Sequence, residues 1–164
     1  MHGNQRSVGL AGKSHLMECT NIVGRLHKEF LKMIKFELDG LGIYDINNVQ
    51  GLVVYNIGDA KLTVGELTLR GCYHGLNSSY NVKKLVENDY LVYERSVHDR
   101  RSIYVQLTDK GCILQNKLSA MCRRHAKVLA QTSDADDSLR EVIVTLRRLE
   151  RFWVHAGDCA SRVA

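Results

Sequence analysis

A mainly α fold with a small antiparallel β-hairpin follows from three features of this chain. An amphipathic stretch at residues 78–88 opens on hydroxyl and amide side chains. Two strand-like pieces, Leu91 to Arg95 and Ile103 to Leu107, come directly after it and enclose a basic tip, His98-Asp99-Arg100-Arg101. Both ends of the chain carry apolar stripes at three- and four-residue steps, the period of a helix face. A helix leading into a basic hairpin is the order of a recognition helix and its wing. The expected fold is therefore an α+β winged helix-turn-helix flanked by long helices.

The totals agree with this. The chain has 164 residues, 45% hydrophobic and 25% charged, which is ordinary globular composition and not that of a disordered chain. It contains no proline, so long helices meet no obligatory break. A net charge of +5 with a pI near 9.0 favours a polyanionic partner, although many basic enzymes share that balance. Five cysteines at 19, 72, 112, 122 and 159 lack C-x-x-C spacing, which fits neither a disulfide framework nor a zinc ribbon and suits a reducing cytosol. Cys122 and His125 lie three apart on a helix, but without a second ligand pair no metal site is expected. No secretory h-region and no run of about 20 apolar residues is found, so a cytoplasmic protein off the membrane is expected.

Taken in order, residues 1–11 are polar and Gly-rich and read as a flexible arm. Leu16, Cys19, Val23, Leu26, Phe30, Met33 and Phe36 form one stripe on a helix from Gly12 to Leu38, roughly 40 Å long. Asp39-Gly40-Leu41-Gly42 ends it, and residues 12–44 form an N-terminal dimerisation segment. Asp45 is expected to cap the next helix, with Ile46, Val49, Leu52, Val53 and Ile57 inward. Lys61 to Thr63 reads as a short strand, and Thr63-Val64-Gly65-Glu66 as a capping box for a brief third helix. The recognition helix follows, with Asn77 as its N-cap and Val82, Leu85 and Val86 inward. Ile103, Val105 and Leu107 alternate with Tyr104 and Gln106, the two-residue period of a strand. Residues 45–107 thus make the winged helix. Residues 108–156 supply two more helices, the last striped by Leu139, Val142, Leu146, Leu149 and Trp153, and 157–164 should fray. The end stripes have no partner within the chain's middle, so a homodimer is expected.

A B-DNA major groove admits an α-helix and presents donors and acceptors on its base edges. Ser78, Ser79 and Asn81, with Asn77 ahead of them, match those groups. Lys83 and Lys84 are placed for phosphates, which position the protein without reading sequence. Taken alone, Ser-Ser is equally a helix cap and the lysines a solvated face. The wing shifts the balance toward DNA, because nothing in the fold requires paired arginines at the tip His98-Asp99-Arg100-Arg101, and a charged solvent-exposed turn is the plain alternative. An arginine in a narrow minor groove meets strong negative potential, and Asp99 is expected to hold Arg101 extended through a bidentate pair.

The runs Leu91-Val92-Tyr93-Glu94-Arg95, Asp99-Arg100-Arg101 and Val105-Gln106-Leu107-Thr108-Asp109-Lys110-Gly111 resemble the MarR family of dimeric winged-helix regulators. Gly75 to Gly111, with its SYNVKKLVEN core, is more particularly similar to the LdtR-type alphaproteobacterial branch. The resemblance spans residues 12–155, and its specific motifs lie within 62–111. It implies a non-enzymatic, double-stranded-DNA-binding homodimer in which Asp99 and Arg101 pair in the wing. Tyr90 stands where the family has a helix-ending glycine, so Asn88 or Asp89 must take the left-handed position. The turn Arg70 to Gly75 is also longer than usual, so the resemblance sets the recognition-helix register only to within a residue or two.

The resemblance also implies a small aromatic or phenolic effector between the dimerisation helices and the winged-helix lobe. Cys19, His27, Met33, Tyr44 and Tyr55 are its candidate neighbours, each also at home in core or interface. Cys19 resembles the single N-terminal cysteine of peroxide-sensing members, although an inert buried thiol is the plainer account. No G-x-S-x-G, P-loop or H-E-x-x-H occurs, so neither catalysis nor a cofactor is expected. The alternative to a DNA regulator is a winged helix used as a protein-interaction module.

Overall fold

The computed structural model describes residues 4–58, 60–63, 65–67, 78–95, 103–131 and 135–161, with the backbone alone at 4–14, 78, 95, 103, 135–136 and 157–161. The chain forms two compact units, Met1–Ser119 and Ala120–Ala164. No described helix is long and apolar enough to cross a membrane.

The first unit opens with α1, Asn4–Gly40. The arm expected over residues 1–11 is instead helical from Asn4. Extending an existing helix needs no new nucleus, and each glycine in it costs only about 1 kcal/mol, so Gly9 and Gly12 weaken the first turns without stopping them. Among the described side chains of α1, those that enter the core are Ile34 and Leu38, in its C-terminal third. Leu41 to Ile43 close it by turning their amides back onto Glu37, Leu38 and Asp39, with Gly42 at φ +70°.

Helix α2, Asn48–Ile57, is buried on more than one face: Gln50, Gly51, Leu52, Val53, Val54 and Ile57 all lie inside. Its cap is Asn47, not the expected Asp45. The Asn47 side chain accepts from the Gln50 amide at 2.9 Å, and the Gln50 side chain accepts from the Asn47 amide at 2.9 Å, a complete capping box. α1 and α2 cross closely because Gly51 has no side chain. A Cβ there would lie 2.9 Å from Ile34 Cγ2 and 3.3 Å from a Leu38 methyl. Asn48 adds a hydrogen bond from its side chain to the Leu31 carbonyl at 3.2 Å.

β1, Leu62–Thr63, leads into one helical turn at residues 65–67. The expected capping box forms: the Thr63 amide donates to the Glu66 carboxylate at 2.7 Å, and the Glu66 amide donates to Thr63 Oγ1 at 3.1 Å. α3, Ser78–Glu87, is followed by β2, Leu91–Arg95, and β3, Ile103–Leu107. The sheet is antiparallel in the order β1-β3-β2, with Leu91 opposite Leu107, Tyr93 opposite Val105 and Arg95 opposite Ile103. Val105, at the centre of the middle strand, is fully buried, while Tyr104 and Gln106 are partly exposed, as the alternation requires. Helix α4, Asp109–Leu129, begins in this unit and contributes Leu114 and Leu118 to the core. The core is thus a three-helix packing of α1, α2 and α3 closed by the sheet and the start of α4.

The second unit holds the rest of α4 and α5, Ala135–Ser161. α5 continues through residues 157–161, beyond the point where a frayed tail was expected. It leaves Leu139, Val142, Ile143, Val144, Phe152, Trp153 and Val154 all exposed, with Phe152 and Trp153 in edge-to-face contact at 5.3 Å. Leu146 and Leu149 are half-buried.

Candidate nucleic-acid interface

Helix α3 divides into two faces. Val82 and Leu85 enter the core, while Ser79, Tyr80, Lys83 and Glu87 are exposed and Lys84 is half-exposed. Positions 80, 83, 84 and 87 are three or four apart and so form one continuous surface. Of the residues expected to meet DNA, Ser79, Lys83 and Lys84 lie on it, and Ser78 is the first residue of the helix. Asn77, His98, Asp99, Arg100 and Arg101 lie outside the described residues.

Asn81 is a correction. It is only 9% exposed, and its side-chain oxygen accepts from Gln50 Nε2 at 3.3 Å. Because Gln50 also completes the α2 capping box, this amide pair locks the first turn of α3 to the first turn of α2. A buried amide with its partner in place would lose about 1–3 kcal/mol if either were withdrawn. Asn81 therefore positions the helix and is not available to a base edge. Tyr80 was not among the residues expected from the sequence. It is 55% exposed and brings an aromatic ring and a hydroxyl to the outer face; its three- and four-residue spacing to Lys83 and Lys84 is the signal that identifies it.

The cations on this face are partly spent. Glu87 receives a hydrogen bond from Lys84 at 2.7 Å and lies 3.8 Å from Lys83. The Glu87 hydrogen bond raises the Lys84 ammonium above its ordinary value, and the Lys84 hydrogen bond lowers the Glu87 carboxyl below the usual carboxylate range.

The far end of α3 is fixed by backbone and side chain together. Asp89 takes the left-handed conformation at φ +61°, which settles the choice between Asn88 and Asp89. The Tyr90 amide then reaches back to the Leu85 carbonyl at 2.8 Å and the Asp89 amide to Val86 at 3.1 Å, a Schellman closure without glycine. Asp45 ties this end to the α1–α2 loop. It accepts from the Tyr90 hydroxyl at 3.0 Å through one oxygen and from Lys110 Nζ at 3.0 Å through the other, while its carbonyl accepts from the Asn88 side chain at 2.7 Å. Lys110 also donates to the Asn88 carbonyl at 2.9 Å, and its ammonium sits 4.1 Å from the Tyr90 ring centre.

Within this cluster partial burial pushes the Asp45 carboxyl up, but the hydrogen bonds from Lys110 and Tyr90 outweigh it and hold it below its usual value. Burial pulls Lys110 down, and its hydrogen bond to Asp45 reverses that and raises it. Burial, then the Asp45 hydrogen bond, raises the Tyr90 hydroxyl. A carboxyl held low in the folded state stabilises the fold above its unfolded pKa, and that stability is lost as pH falls through the folded value. Asp45 and Lys110 are each more than two-fifths exposed, so screening leaves about 0.3–1 kcal/mol. Urea unfolding near pH 7 should separate wild type from Asp45→Asn by that amount, and the gap should close as pH falls below the usual carboxylate range. A gap that stays constant with pH would remove the charge from the explanation.

The five effector candidates are not brought together. Cys19 and Met33 are half-buried on α1 but fourteen residues apart, roughly 21 Å along the helix. His27 is exposed, and Tyr55 packs edge-on against Phe30 at 6.2 Å. Tyr44, 75% exposed, lines a cleft beside α3 with Lys35, Asp45, Asn47, Tyr80 and Lys84. Among the described residues no group of three or more His, Cys, Asp or Glu side chains is arranged to hold a metal.

Comparison with known proteins agrees with this geometry. Residues 46–111 match a winged helix DNA-binding domain. The exopolysaccharide II synthesis transcriptional activator ExpG of Rhizobium meliloti (strain 1021) is 34% identical over 140 residues, 85% of this chain and 72% of that protein. Among solved structures, Staphylococcus aureus MarR in complex with salicylate and kanamycin superposes with a TM-score of 0.66 at 22% identity, covering 88% of this chain and 95% of that one. Streptococcus pneumoniae FabT in complex with DNA gives 0.62 at 19% identity, covering 82% and 96%. With the winged helix, its exposed α3 face and this relative in agreement, the chain belongs to the MarR-type winged-helix family of DNA-binding transcriptional regulators.

Proposed function

We propose that the regulator acts in the cytoplasm as a homodimer on a pseudo-palindromic duplex, each subunit setting α3 in a major groove and Arg101 in the flanking minor groove. The observation that carries this reading is the outer face of α3. Ser79, Tyr80 and Lys83 have no duty in the core, yet the helix is locked at its start by Gln50–Asn81 and at its end by the Asp45 cluster. A rigid helix with an idle polar face is suited to reading an external surface. Lys83 and Lys84 then meet phosphates, and Ser79 and Tyr80 meet bases or sugar.

Dimerisation is supported by apolar surface in each unit. On α1, Met17 and Leu26 are 55% and 62% exposed, and on α5, Phe152 and Trp153 are 58% and 54% exposed. Large contiguous apolar surface on a monomer marks an interaction site. A homodimer covers it and sets two half-sites about one helical turn apart, near 34 Å. A small aromatic or phenolic effector would tune binding by favouring one spacing of the lobes over another. MarR of Staphylococcus aureus, in complex with salicylate, shows such a molecule on a relative in fold.

The test is fluorescence polarisation against the gene's own upstream DNA and a scrambled duplex at several salt concentrations. Specific binding is expected, with log affinity falling by roughly 0.9 per phosphate neutralised for each decade of salt. Absence of binding to either duplex at low salt would end this reading. One substitution should strengthen binding. Glu87→Gln removes the carboxylate that Lys83 and Lys84 share, so affinity at low salt should rise about two- to fivefold, equivalent to about 0.5–1 kcal/mol. A loss of affinity would instead make Glu87 a base contact.

A further inference from the structure

We propose that the DNA contact reaches past α3 onto the end of α1 and the α1–α2 loop, where Lys35 and Tyr44 hold a phosphate of the strand bordering the major groove. This rests on the placement of α3 proposed above and adds to it a contact from two other segments. The cleft beside α3, about 400 Å³, lies between Lys35 of α1, Tyr44 and Asn47 of the loop, and Tyr80 and Lys84 of α3. Tyr80 and Lys84 stand one turn apart and also belong to the outer face of α3, so face and cleft form one continuous surface. A major groove about 12 Å wide is nearly filled by a helix of roughly 10–12 Å diameter. The flank of a helix seated there meets the sugar–phosphate ridge, and on this flank the cleft is the concave part.

The donors in the cleft suit a phosphate. Tyr44 is 75% exposed, and its hydroxyl makes no hydrogen bond among the described residues. Lys35 is exposed and bridges to Asp39, one turn along α1. An exposed pair of this kind is weak, so a phosphate can take the ammonium from Asp39. Asp45 also lines the cleft, but Tyr90 takes one of its oxygens and Lys110 the other.

The start of α2 does not serve in their place. The Asn47 amide donates to the Gln50 side chain at 2.9 Å, the Val49 amide to Asn48 Oδ1 at 3.0 Å and the Gln50 amide to Asn47 Oδ1 at 2.9 Å. With these amides occupied, an anion in the cleft has to be met by side chains. Lys35 and Tyr44 are the exposed donors there that α3 does not itself supply. A phosphate contact carries no base information, so its signature is an equal loss of affinity on every duplex.

The experiment is fluorescence polarisation of the full chain with its own upstream duplex and a scrambled one, across a salt series. Tyr44→Phe should weaken both duplexes by the same factor, about three- to tenfold. Its salt slope should match wild type, because a neutral donor releases no counterion. Lys35→Gln should weaken both about tenfold at low salt and lower the slope by roughly 0.9, one phosphate. Asp39→Asn breaks the ion pair but keeps Lys35, and should bind at least as tightly as wild type. A loss as large as that of Lys35→Gln would assign the effect to the ion pair and overturn the proposal. So would wild-type affinity in either Tyr44→Phe or Lys35→Gln, or a loss confined to the specific duplex, which would make these residues base readers. Wild type that binds while the variants match it refutes this contact alone. Wild type that binds neither duplex refutes the placement of α3, and this contact with it.

Discussion

Gly111→Ala should destabilise the fold by about 3 kcal/mol, although it adds only a methyl group. A Cβ at Gly111 would lie 2.2 Å from the Tyr90 carbonyl oxygen, 3.2 Å from its carbon and 3.1 Å from a Leu107 methyl. The carbonyl cannot give way, because it accepts the Thr108 amide at 3.1 Å. Thr108 is itself committed: its hydroxyl donates to the Asp89 carbonyl at 2.6 Å and accepts the Gly111 amide at 3.1 Å, capping α4. An added methyl would push the start of α4 off the end of α3 and the first residue of β2 together. Gly65→Ala, whose Cβ meets only Thr63 Oγ1 at 3.9 Å, should stay within about 0.5 kcal/mol of wild type. Urea midpoints for the two variants check this, and equal midpoints would mean that α4 is not held as closely as the geometry requires.

Arg101→Ala should cost about tenfold to a hundredfold in affinity for the specific duplex, roughly 1–3 kcal/mol. On the proposed reading Arg101 sits in the loop that joins β2 to β3 and carries its charge into the minor groove, where the potential is most negative. Arg101→Lys should recover little, since a strongly hydrated ammonium lacks the planar fork that the proposed pair with Asp99 requires. Asp99→Ala should cost less than Arg101→Ala because the guanidinium remains, only less well aimed. On the same reading the thermal midpoint and the proposed dimer should be unaffected, because the loss falls on the contact with DNA. Polarisation titration beside sedimentation tests both halves, and unchanged DNA affinity would remove the wing from the mechanism.

Most of the fold was legible because the strongest signals are local. The Thr63-x-x-Glu66 capping box forms as two hydrogen bonds, and Val105 is buried between partly exposed Tyr104 and Gln106 as the alternation requires. The left-handed residue at the end of α3 was narrowed to two positions, and Asp89 takes it. The errors arose where a long-range partner outranked a local preference. Asp45 is a good N-cap in isolation, but Tyr90 and Lys110 claim its carboxylate and Asn47 caps α2 in its place. Asn81 falls in the polar first turn of α3, and only its encounter with Gln50, thirty-one residues earlier, reveals that it is buried. The cleft between Tyr44 and Tyr80 was equally invisible, because it is assembled from three separate segments.

Dimethyl sulfate protection of the bound operator tests the central claim most directly, since the reagent marks guanine N7 in the major groove and adenine N3 in the minor. α3 in the major groove predicts protected guanines in two blocks about one helical turn apart. It also predicts protected adenines on the outer flanks that become reactive again in Arg101→Ala. Protection confined to the minor groove, or guanines as reactive as in free DNA while the complex persists, would contradict the placement of α3.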